Sequence, residues 1–119
     1  MPPAFTDGVA LFNAGRFFEA HEVFEELLDD VEEDERWNLL VALIQVAVGY
    51  HKWTSGHPGA ARMLGLGLEK LAAFPDEACG IDVGMLRTRV AGDRTAAEAD
   101  ITPMVRSPRI LLIEPTALE

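Results

Sequence analysis

His21, Glu22, Glu25, Gln45 and His51 are the residues whose types and spacing can do chemistry in this sequence. The first three form His-Glu-x-x-Glu, which on a helix sets His21 and Glu25 one turn apart on the same side. Two imidazoles with one or two carboxylates can hold zinc, manganese or iron, so His21, Glu25 and His51 are candidate ligands for a divalent metal. In a catalytic version, Glu22 or Glu25 would be the general base of a metal-assisted, hydrolase-like reaction, with the histidines as ligands or acid. The zinc-protease motif, however, needs a second histidine where this chain has Glu25, and the di-iron bundle pattern needs Glu-x-x-His. A plainer expectation is a buried network in which imidazole, carboxylate and amide satisfy one another and fix helix register. The balance favours a ligand-binding or structural cluster over an enzyme.

The elements that must position these residues follow from apolar periodicity. Thr6 and Asp7 suit the cap of a first helix reaching Asn13, and Gly15 suits the turn after it. A second helix is expected over Phe17–Val31, with Phe17, Ala20, Phe24, Leu27, Leu28 and Val31 on one face. Eight of the eleven residues from Glu25 to Glu35 are acidic, which reads as a solvated hairpin tip. The third helix, about 35–53, is apolar nearly all round and must be packed on several sides. Asn38, Gln45 and Lys52 form its narrow polar stripe. If the second and third helices form an antiparallel hairpin turning near Glu32–Asp34, His21 and His51 arrive at the same end.

Pro58 suits the first turn of a fourth helix lasting to Phe74, in which Gly67 would let another backbone come close. A short fifth helix is expected over Asp82–Val90, ended by Gly92. Beyond it, an extended arm over 93–119 carries the Ile110–Ile113 run between Pro108 and Pro115. The expected fold is therefore all-α: a single domain, a compact bundle of four to five helices around the central one, with a C-terminal arm.

Composition narrows the function classes. Twenty acidic residues against ten basic ones give a net charge of −10, which opposes nucleic-acid binding. The single cysteine, Cys79, cannot form an internal disulfide or a cysteine-based zinc site, and fits a reducing, cytoplasmic setting. The first eight residues lack the basic start and apolar run of a signal peptide. The apolar run Trp37–Trp53 falls short of a membrane span and carries Asn38, Gln45, His51 and Lys52. Neither membrane nor nucleic acid is an expected partner.

The segments Phe12-Asn13-x-Gly15-x-Phe17-x-Glu19-Ala20-His21-Glu22-x-x-Glu25, Leu43-Ile44-Gln45-x-Ala47, Tyr50-His51 and Gly56-x-x-Gly59-Ala60-x-x-x-Leu64 occur in this order. Together, over about Phe5 to Leu71, they resemble the domain of unknown function 309 family. The resemblance implies a small helical bundle with no established activity. This chain has Leu28, Ala42 and His57 where that pattern usually has tryptophan, glycine and asparagine. One hairpin, Gly15-x-Phe17-x-x-Ala20-x-x-x-Phe24-x-x-x-Leu28, is also similar to part of a tetratricopeptide repeat, but the pattern does not recur. Two functions follow as expectations. One is a metal or small-ligand site at the His/Glu/Gln cluster. The other is a protein-protein interaction or homo-oligomerisation module using the hairpin or the 108–115 segment.

Overall fold

Each apolar stripe becomes the inner face of a helix in the computed structural model, which describes residues 1–103 and 107–113. Helix α1, Phe5–Asn13, buries Phe5, Val9 and Phe12. It starts at Phe5, so Thr6 and Asp7 fall inside its first turn instead of capping it. Thr6 Oγ1 donates to the Pro3 carbonyl at 3.0 Å. Helix α2, Phe17–Leu27, gives way to a 3-10 turn at Leu28–Asp30 before the expected end at Val31. Asp29 and Asp30 would place negative charge at the negative end of the helix dipole, which disfavours extending the α-helix there.

Helix α3, Glu35–Thr54, is the central element expected. The Asp34 carboxylate caps it, accepting from the Arg36 N–H at 2.9 Å and from the Arg36 guanidinium at 2.9 and 3.2 Å. These bonds, led by the one from the guanidinium, hold the Asp34 carboxyl below the usual carboxylate range. Helices α2 and α4 flank α3. The α3–α4 approach depends on glycine. A Cβ on Gly67 would stand 2.6 Å from Val46 Cγ2 and 3.2 Å from the Ala42 carbonyl, and one on Gly49 would meet Leu64 at 2.7 Å. The close approach expected at Gly67 is present.

Helix α4, Ala60–Leu71, begins after Pro58, because Gly59 adopts a left-handed conformation (φ 91°) at its N-cap. Its end at Leu71 precedes the expected Phe74, and Arg87 donates to the carbonyls of Leu71 (3.0 Å) and Phe74 (3.1 Å) at that end. A hairpin of two short strands, β1 (Glu77–Ala78) and β2 (Ile81–Asp82), follows. Its turn residues, Cys79 and Gly80, both have positive φ, as type I′ turns require.

Helix α5, Val83–Glu98, corrects the sequence-based expectation most. It runs straight through Gly92, so residues 93–98 are helical and do not belong to the arm. An exposed helical glycine costs about 1 kcal/mol relative to alanine. The next residue, Asp93, makes a buried tertiary bond to Tyr50 and an i,i+4 pair with Arg89 within the helix, which together offset it. The arm itself packs back on its own domain. Asp82 N–H donates to the Leu111 carbonyl at 2.9 Å, Ile113 N–H donates to that of Gly80 at 2.7 Å, and Leu112 bridges to Ile81. Asn13 grips the backbone of Ile110 through both its amide groups, at 2.7 and 3.0 Å. The other arm positions, 104–106 and 114–119, including Pro115, lie outside the described residues. The fold is all-α, with five α-helices among the described residues, and none of them is long and apolar enough to cross a membrane.

Candidate functional site

The hairpin of α2 and α3 brings His21 and His51 to the same end, as their spacing requires. Both rings abut Phe18, with centroid distances of 4.9 Å (His21) and 5.2 Å (His51). Phe18 is 49% exposed, so this is a surface cluster. The His21 Nδ1 lies 2.6 Å from the Phe18 carbonyl. A carbonyl only accepts, so Nδ1 carries the proton and Nε2 of the neutral ring keeps its lone pair.

The carboxylates do not join them. Glu22 and Glu25 are exposed, because the buried positions of α2 are Phe17, Ala20, Phe24 and Leu27 and both glutamates point away from that face. The expected buried His–Glu network is therefore absent between these residues: His21 bonds to backbone instead. Among the described residues, no three His, Cys, Asp or Glu side chains stand together as a metal site.

Gln45 stands apart. It is half-buried on α3, its Oε1 is sealed from solvent, and that oxygen has no hydrogen-bond partner among the described residues. Around it, Trp37, Val41, Ile44, Val48 and His51 are also only half-buried. At 100° per residue these positions form one stripe, on the side of α3 away from Leu43, Val46 and Tyr50. The central helix thus has a sealed side and an open side.

The sealed side holds a polar group that sequence reasoning missed. The Tyr50 hydroxyl donates to Asp93 Oδ2 at 2.6 Å, and Arg89 Nε donates to the same oxygen at 2.8 Å. Asp93 is 5% exposed, the one charged residue buried among those described. Burial, then the bond to Asp93, pushes the Tyr50 phenol well above its ordinary value. Phe12 and Phe17 pack on the Tyr50 ring at 5.9 and 5.3 Å. The visible trace in the sequence was Arg89-x-x-x-Asp93, an i,i+4 pair within a helix expected to end between them. Beside this network lies a cavity of about 810 Å³, lined by Asn13, Met85, Thr88, Arg89, Ser107 and Arg109.

Part of this sequence is shared with known proteins. An uncharacterised protein of Aquifex aeolicus (strain VF5) is 31% identical over 77 residues. The matched stretch covers 64% of this chain and 23% of that relative, so this chain corresponds to only part of the longer protein. The family model described as a domain of unknown function, DUF309, matches residues 5–64, from the start of α1 into α4. That span holds the histidine cluster, Gln45 and the α2–α3 hairpin, and the chain belongs to the DUF309 family.

Proposed function

We propose that this chain is an association module that pairs with a second copy of itself through the open side of α3. The observation that carries this reading is the sealed, unpartnered Oε1 of Gln45 amid a half-buried apolar stripe. A buried acceptor without a donor costs about 1–3 kcal/mol, and a primary amide is both donor and acceptor. In a twofold pairing, a residue on the axis meets the same residue of its partner. With its side chain turned outward from this sealed setting, Gln45 would pair with the partner's Gln45, each amide satisfying the other while Trp37, Val41, Ile44 and Val48 leave water. The Aquifex relative, which carries the matched stretch within a longer chain, agrees with a module used beside further polypeptide.

A second reading keeps the divalent metal. It is favoured by the His21 Nδ1 bond to a backbone carbonyl, the arrangement that orients metal-bound histidines. His21 and His51 would then be ligands, with Glu22 or Glu25 or a second copy completing the set.

Sedimentation velocity over a protein dilution series, with and without added zinc, tests both. Self-association without metal, abolished by Val48→Glu with the helical circular dichroism intact, is the expected result. Association only with zinc, lost in His21→Ala, would favour the metal reading. A monomer under every condition sinks both.

A further inference from the structure

The cavity between α1, α5 and the arm lies on the side of α3 opposite the proposed pairing face, and nothing in the association reading uses it. From its lining we infer that it binds a small monocarboxylate with an apolar tail. Its volume of about 810 Å³ falls in the range of small-molecule sites. Its surface is predominantly apolar, with the Met85 side chain in the wall. Apolar walls with a few polar groups suit an amphipathic ligand better than a bare inorganic ion.

The polar groups select the head. Arg109 lines the cavity yet is exposed, which puts it at the mouth, and it makes no ion pair or hydrogen bond among the described residues. A guanidinium presents paired N–H donors that match a carboxylate in a bidentate way. The Ser107 hydroxyl offers a further donor, whereas the Thr88 hydroxyl spends its proton on the Gly84 carbonyl at 3.1 Å.

The surrounding fold fixes that geometry. Both amide groups of Asn13 are spent on the Ile110 backbone, so Asn13 holds the arm with Arg109 beside the mouth and is not itself a ligand group. Asp93, the buried acid nearest the network, is already engaged by Tyr50 and Arg89, so its charge is answered before a ligand enters. In a chain of net charge −10, this is a local setting that receives an anion. Arg89, Asp93 and Arg109 all lie beyond residues 5–64, so the charged groups of the site are outside the family match, while Asn13 and Tyr50 are within it.

Isothermal titration with hexanoate, hexanol and inorganic phosphate tests the assignment. Hexanoate is expected to bind once per chain and raise the melting temperature, and Arg109→Gln to weaken it about tenfold, the loss of about 1.4 kcal/mol of charge-assisted bonding. Hexanol should bind at least about tenfold more weakly, for the same reason. Ser107→Ala, on an exposed position of the arm, should weaken hexanoate by a smaller factor. No hexanoate binding overturns the proposal, as does equal binding of hexanol or an affinity unchanged in a folded Arg109→Gln. Phosphate binding as tightly as hexanoate overturns the apolar-tail assignment. Because the sealed side and the open side of α3 are distinct, a monomeric protein that binds hexanoate would defeat the association reading alone.

Discussion

The two sides of α3 treat polar groups in opposite ways. On the sealed side, the Tyr50 hydroxyl is buried with a full set of answers: Asp93 accepts from it, and Arg89 neutralises Asp93. On the open side, Gln45 holds a buried oxygen with no answer among the described residues. One helix therefore carries a finished polar site and an unfinished one. The finished site belongs to the folded chain, whereas the unfinished one calls for something the single chain does not supply. The same contrast separates apolar residues. Leu39, Leu40 and Leu43 are fully buried, while Trp37, Val41, Ile44 and Val48 on the other side are half-open.

The largest effect is expected at the finished site. Asp93→Ala should cost about 2–3 kcal/mol in urea denaturation, because it strands the buried Tyr50 hydroxyl and leaves Arg89 without its anion. Tyr50 is the sole tyrosine, so its titration can be followed by phenolate absorbance. Its raised value means the folded phenol keeps its proton where an unfolded one, near pH 10, loses it. That stabilisation is complete below about pH 10 and is lost as the pH rises above it. Phenolate should therefore appear together with the loss of helical circular dichroism. Phenolate forming in a still-folded protein would show that the site is not sealed.

A smaller effect is expected where helices touch. Gly67→Ala forces a methyl against Val46 and the Ala42 carbonyl, and should destabilise by about 2 kcal/mol despite alanine's better helix propensity. Gly92→Ala meets nothing within 4 Å and should instead stabilise by about 0.5–1 kcal/mol. Equal effects at the two glycines in thermal melts would mean that α3 and α4 do not approach as closely as described.

The smallest effect is expected at the unfinished site. Gln45→Met removes an amide that has no partner in the single chain, so the dilute monomer should hold its stability or gain up to about 1 kcal/mol. A loss of 2 kcal/mol or more under those conditions would show that Gln45 is satisfied within the chain, and would erase the contrast between the two sides.

Much of the fold was legible because it rests on local pattern. The central helix, the hairpin that carries His21 and His51 to one end, and the close approach at Gly67 all follow from periodicity and residue size. Where local pattern met a tertiary bond, the bond won. Gly92 reads as a stop, yet α5 continues because Asp93 reaches Tyr50, 43 positions away in sequence. The candidate site was half legible for the same reason. Helical spacing gives the side on which His21 and Glu25 lie, but whether a glutamate there turns inward depends on what packs beside it.

By itself, the sequence determined the all-helical class, the central place of α3 and the meeting of the two histidines, because helix period and chain length leave little choice. Only the tertiary structure decided which polar groups are answered. That depends on contacts between distant segments: Tyr50 with Asp93, Asn13 with Ile110, and Gln45 with no partner among the described residues.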